Sequence, residues 1–143
     1  MIGMSPQLQS AAKGPASRMQ EQRQRSPRVA IKARGKILFI SLSDVVAVQA
    51  KGNYVSLQRN GSSNLLRKSI SAVAEKLEPQ GFIRIHRSIL VNTSFVEEIR
   101  PYSTGEYGLR VKGGKEYTVT RTYKQNLKSL AEFWIGTGAF FPD

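Results

Sequence analysis

Two glycine-containing dipeptides, Asn60-Gly61 and Gly113-Gly114, constrain this chain more than any other feature. Each tolerates the positive backbone angles of a tight turn and stands between two short runs of strand-forming residues, the pattern of an antiparallel hairpin. The first joins residues 54–58 to 64–68, and the second joins 107–112 to 115–119. Further short runs lie at 36–40, 45–50, 82–85, 89–91 and 95–101, with Ser43-Asp44 and Lys51-Gly52-Asn53 as additional breaks. The reading is a mainly β chain built of short antiparallel strands. No segment repeats at a fixed period, which argues against a solenoid.

Two helices interrupt this pattern. Ile70, Val73, Ala74 and Leu77 fall at i, i+3, i+4 and i+7, the stripe of an amphipathic helix. Ser69 is placed to cap it, and Glu78-Pro79-Gln80-Gly81 stops it. Thr120 is placed to cap a C-terminal helix with Tyr123, Leu127, Leu130 and Trp134 on its apolar side, ended by Gly136-Thr137-Gly138. The expected folded domain is 35–135, followed by a short tail at 136–143.

Residues 1–34 have a different composition. They are rich in Gln, Ser, Arg, Ala and Pro and poor in large apolar residues, so they cannot bury enough surface to offset the entropy of ordering. A basic, disordered N-terminal tail is predicted there, with seven cations against Glu21 alone. The 143-residue chain has the length of one domain. Its net charge of +12 points to nucleic acid, anionic lipid or an acidic protein as partner.

Several chemistries are disfavoured. The chain has no cysteine, which excludes disulfides, thiolate metal sites and thiol catalysis. His86 is the only histidine, so neither a metal site nor a cofactor is expected, and a structural hydrogen bond is the better reading for it. Glu97 and Glu98, adjacent on a strand, should point to opposite faces, the wrong arrangement for a catalytic carboxylate pair. With no phosphate-binding glycine loop before a helix, no enzymatic activity is expected. No apolar run approaches the roughly 20 residues of a membrane span, and the N-terminus lacks the apolar stretch of a secretory signal. Neither a membrane span nor secretion is expected, and the expected location is the cytoplasm.

Three places carry cations on rigid supports. In residues 82–92, Ile83 and Ile85 share one strand face while Phe82 and Arg84 share the other. Straight continuation would drive Arg87 towards a core, and a buried unpaired guanidinium is too costly. The chain is therefore expected to bend near residues 86–88 and turn Arg87 outward. Lys51, Asn53 and Tyr54 form a turn carrying a cation, an amide and an aromatic ring, and Asn and Lys can both bond base edges. Arg121 falls in the first turn of the last helix, where free N–H groups suit phosphate, with Lys124 beside it.

These segments resemble the LytTR DNA-binding domain family. The Ala-Lys-Gly-Asn-Tyr-Val centre of residues 45–57 is similar to the family's early motif, residues 81–92 to its central signature, and residues 118–123 to its C-terminal motif. The resemblance spans about residues 35–133 and implies an elongated fold of short antiparallel strands with one internal and one C-terminal helix. It implies duplex DNA as partner, bound through loops in successive major grooves with a minor-groove contact between them. Paired operator sites occupied by two copies, and a role in transcription, are also implied. Carried over by motif, the contacting positions are Asn53 or Tyr54, Arg87 and Arg121. Lys51, Arg84 and Lys124 are proposed phosphate contacts from charge and placement alone. Gln49 stands where many members carry Glu. The 34 residues before the domain are too few for a receiver, so no phosphoacceptor is assigned. A small basic RNA-binding β protein is the alternative, with Tyr54, Tyr102 and Tyr107 as candidate stacking rings.

Overall fold

The computed structural model describes residues 26–141, in two units that divide after Ser43. In the first unit, β1 (Arg28–Ala33) pairs antiparallel with β2 (Lys36–Ser41). The expected tail is therefore corrected for residues 28–33, which form a strand; residues 1–25 lie outside the described residues. The missed signal is the alternation of Val29 and Ile31 with Arg28, Ala30 and Lys32. Ile31 and Ile40 are buried on one hairpin face, while Ile37 and Phe39 are exposed on the other, where the Arg28 guanidinium lies 5.4 Å from the Phe39 ring centroid. The turn places both Arg34 (φ 54°) and Gly35 (φ 78°) in the left-handed region.

The second unit is built on a five-stranded antiparallel sheet in the order β5-β4-β3-β7-β6. Its strands are β3 (Val45–Lys51), β4 (Tyr54–Arg59), β5 (Ser62–Leu66), β6 (Phe82–His86) and β7 (Ile89–Asn92). A three-stranded sheet, β10-β9-β8, comprises β8 (Val96–Pro101), β9 (Tyr107–Val111) and β10 (Glu116–Val119). Both dipeptide turns form as expected. Arg59 pairs with Ser62 across Asn60-Gly61, although only Gly61 adopts positive φ there. This register ends β5 at Leu66, so Arg67 and Lys68 leave the strand that was expected to run to residue 68.

The one α-helix among the described residues, α1 (Ile70–Leu77), has the predicted cap: the Ser69 side chain accepts from the Ala72 N–H at 3.1 Å. It buries Ala74 and Leu77, packs against β3 and β6, and passes into a 3-10 turn (Glu78–Gln80) that Gly81 ends in a left-handed cap with φ 98°. A second buried cluster joins Ala47, Ile83, Ile85, Ile89 and Val91 to Leu109, Val111, Tyr117, Val119 and Leu127, which glues the two sheets and the last helix together. Ile83 and Ile85 thus share the face assigned to them. Asn92 is also buried; its amide donates to the Val45 carbonyl at 2.9 Å and its oxygen accepts from Ser94 N–H, which fixes the end of β7.

Three expectations need correction. Glu97 and Glu98 do not point apart: a bulge between Val96 and Glu98 turns both onto Arg110, at 3.3 and 2.9 Å. The last helix is a 3-10 helix (Arg121–Leu130) that stops before Trp134, which is half exposed and donates to the Gly138 carbonyl. The expected C-terminal tail is tied into the core through Phe141, which is buried with its ring 5.4 Å from Tyr107.

Candidate nucleic-acid interface

Two turns carry the first two motifs, and sheet order brings them together. Lys51 pairs with Tyr54 across Gly52-Asn53, with Gly52 at φ 60°, so Lys51, Asn53 and Tyr54 sit exposed at the tip of the β3–β4 hairpin. His86 pairs with Ile89 across Arg87-Ser88, so Arg87 occupies an exposed two-residue turn, at the bend predicted for it. β3 runs antiparallel to β7, with Gln49 opposite Ile89, which places the end of β3 beside the start of β7. The Ala50 N–H donates to the Ser88 carbonyl at 2.8 Å, extending that pairing to the turn itself. At the usual strand spacing, two strands separate the hairpin axes by about 10 Å.

The Arg87 turn is held by its neighbours. A bulge at Ile85 shifts the β6–β7 register between Arg84 and His86. Arg84 lies behind the turn and donates from Nε to the His86 carbonyl at 3.2 Å and from Nη2 to the Arg87 carbonyl. Its guanidinium also lies 5.8 Å from the Tyr123 ring centroid. The His86 Nδ1 accepts from the Ser88 N–H at 3.1 Å, the structural hydrogen bond read for the only histidine. Arg84, expected on a phosphate, closes two turn carbonyls with its Nε and Nη2.

The third motif reaches the same end of the sheet through the bulge. The carbonyl freed at Ile85 accepts from the Thr120 N–H at 3.0 Å, and the Asn126 amide donates to the Arg84 carbonyl at 2.8 Å. These two bonds moor the 3-10 helix to β6. Thr120 takes the capping position as expected, but its side chain makes no capping bond. Arg121 follows, exposed, with its stem against Gly105: a Cβ there would come within 3.1 Å of the Arg121 Cδ. Lys124, one turn on, lies over the Phe141 ring at 5.5 Å. The ion pairs of the described residues belong to Arg100 and Arg110, so none neutralises Lys51, Arg84, Arg87, Arg121 or Lys124.

Two cations escaped the sequence reading. Leu66 pairs with Val55, so the chain leaves β5 beside Tyr54, and Arg67 and Lys68 emerge exposed at the same sheet end. With Gly52, Asn53 and Ser69 they line an open hollow of about 390 Å³. Counting the pairing back from Asn60-Gly61 would have placed them there.

Residues 35–132 match the LytTr DNA-binding domain. The chain belongs to this family. It is 29% identical over 103 residues to the sensory transduction protein LytT of Bacillus subtilis, a match covering 72% of this chain and 43% of that protein. It is 27% identical over 96 residues to the transcriptional regulatory protein YpdB of Escherichia coli, covering 66% and 39% of the two chains. The chain spans less than half the length of these curated relatives. A solved LytTr DNA-binding domain from Bacillus cereus has the same fold, with a TM-score of 0.64, 23% identity, and coverage of 74% of this chain and 97% of that one. Among the described residues of this LytTR domain, no helix is long and apolar enough to cross a membrane.

Proposed function

We propose that this LytTR domain is a sequence-specific duplex-DNA reader of a transcriptional regulator. The observation that carries the reading is the convergence of three separate motifs on one end of one sheet, joined through the Ala50–Ser88 and Thr120–Ile85 hydrogen bonds. In this reading Arg87 and Arg121 read base edges in the grooves, since a guanidinium fork matches the paired acceptors of guanine. Asn53 or Tyr54 adds a third contact. Lys51, Arg67, Lys68 and Lys124 neutralise phosphates. Arg84 serves by holding the Arg87 turn, in preference to touching a phosphate. Five strands at about 4.8 Å spacing span roughly 19 Å, wider than a major groove of about 12 Å. In this reading the contacts fall in more than one groove, and paired sites are occupied by two copies.

The RNA alternative loses support from its own candidate rings. Tyr107 is buried, and Tyr102 lies partly buried against Gly108 with its hydroxyl bonded to Glu116, whereas Tyr54 is exposed. Selection of bound sequences from a random duplex library, with single-stranded RNA as competitor, tests the proposal. An enriched motif that resists the RNA supports it; no enrichment, or displacement by equimolar RNA, refutes it.

A further inference from the structure

The β1–β2 hairpin leaves a strand edge and a sheet face open together. The Leu42 N–H donates to the Pro27 carbonyl at 2.9 Å, and Ala33 pairs with Lys36 around a turn whose two residues both have positive φ. Each observation sets the same phase of the ladder, with bonds between Val29 and Ile40, Ile31 and Leu38, and Ala33 and Lys36. The backbone groups of Ile37, Phe39 and Ser41 therefore point away from β1. Their side chains share the face opposite the buried Ile31 and Ile40, where Ile37 is 60% exposed and Phe39 62%. Among the described residues the hairpin is a sheet of its own, and no third strand pairs with β2.

The two edges differ in how they are guarded. On β1 the outward residues are Arg28, Ala30 and Lys32, and long cations on an edge hinder the approach of another strand. The outward row of β2, Ile37, Phe39 and Ser41, carries no charge. An uncharged edge with two large apolar side chains is a template for pairing, and a two-stranded sheet gains stability from a third strand. Charge then selects the partner. Residues 26–43 hold Arg28, Lys32, Arg34 and Lys36 and no Asp or Glu. Among the described residues no carboxylate pairs with any of these four cations. The Arg28 guanidinium leans across to the Phe39 ring, so a cation stands over the apolar pair. A second copy of the hairpin would set like charges against one another, which disfavours self-pairing.

We propose that β2 is a docking edge for an extended acidic segment of a partner protein, which adds to it as a third, antiparallel strand. The segment sets apolar side chains beside Ile37 and Phe39, and carboxylates flanking them reach Arg28 and Lys32. None of these residues belongs to the DNA contacts proposed above, so the two readings fail independently.

The probe is the blocked peptide Asp-Thr-Val-Thr-Val-Thr-Asp, whose Asp and Val side chains fall on one face of a strand. One control has Lys in place of Asp; the other is N-methylated at both Val, which removes donors that face β2. Amide NMR shifts of the full chain are followed in each titration. Saturating shifts confined to β1 and β2 are expected from the acidic peptide, and none from either control. Phe39→Asp should weaken binding about fivefold or more and Arg28→Gln about two- to fivefold, the scale of cross-strand contacts. Phe39→Leu, which keeps an apolar side chain, should bind within about twofold, and duplex affinity should be unchanged in all three. No saturating shift at about 1 mM acidic peptide, or equal binding of the N-methylated one, overturns the proposal. Three further results overturn it by giving the edge another occupant. One is a loss of about 0.9 in the DNA salt slope of Arg28→Gln. Another is sedimentation with vesicles of phosphatidylglycerol and phosphatidylcholine that Phe39→Asp abolishes. The last is a dimer of the parent chain, seen by analytical ultracentrifugation, that Phe39→Asp dissociates.

Discussion

Arg84 separates positioning from contact. In the structure its fork spans the carbonyls of His86 and Arg87, the two residues that shape the reading turn. Arg84→Met removes both bonds and keeps the apolar stem; Arg84→Lys keeps the charge but cannot reach both carbonyls with one ammonium. Bonds from a charged donor contribute about 1.5–3 kcal/mol each, and partial exposure of this pair discounts that. A combined loss of about 1–2 kcal/mol follows, spread between folding and specific binding, so the hold on the preferred duplex weakens by at most roughly 5- to 30-fold. Fluorescence anisotropy on a selected site and on a scrambled duplex measures it. Both variants should lose specific affinity to a similar degree while the log–log salt slope stays unchanged. If Arg84→Lys binds like the parent and Arg84→Met loses about 0.9 of slope, Arg84 touches a phosphate and the positioning argument fails.

Other substitutions report on the rest of the domain. Arg67→Ala and Lys68→Ala should each reduce the salt slope of DNA binding by up to about 0.9 without shifting the preferred sequence, as read by anisotropy at several salt concentrations. Gly108→Ala puts a methyl where Glu116 and the Tyr102 ring meet over β9. The hydrogen bond from Tyr102 to Glu116, the main cause that raises the Tyr102 pKa, should break, and ultraviolet titration should find this phenol back near its ordinary value. Glu116 is held below the usual carboxylate range, first by the Tyr102 hydroxyl and then by Arg100, so its contribution to stability is present above about pH 4.3 and fades as pH falls through its folded value. Tyr117 is raised by burial, so stability should fall as pH climbs past about 10, and Tyr117→Phe should flatten that limb of a melting-temperature profile.

The parts of the fold that obey local rules were legible in the sequence. Ser69, the Ile70–Leu77 stripe and Gly81 carry their own start, period and stop, and each behaves as read. The outward turn of Arg87 followed from the cost of burying a guanidinium on the isoleucine face. What escaped was decided by non-local pairing. Arg28–Ala33 is a strand because Lys36–Ser41 offers it a partner, which composition does not reveal. The role of Arg84 depended on where the His86 and Arg87 carbonyls fall beyond the Ile85 bulge, and that of the Glu97–Glu98 pair on a bulge that turns both side chains onto Arg110. Arg67 and Lys68 were lost to a strand drawn two residues too long. The 3-10 helix is moored by the Thr120 N–H on the Ile85 carbonyl and the Asn126 amide on the Arg84 carbonyl, and its apolar side does not extend to Trp134.

The central claim is that Arg87, turned out between β6 and β7, reads a base. The most direct measurement is duplex-library selection carried out in parallel on the parent chain and on Arg87→Ala. The account predicts that both enrich related motifs, that preference collapses at one base position in the variant, and that affinity for the parent's best site drops by about 1–3 kcal/mol. An unchanged preference at every position, with affinity kept, would contradict it.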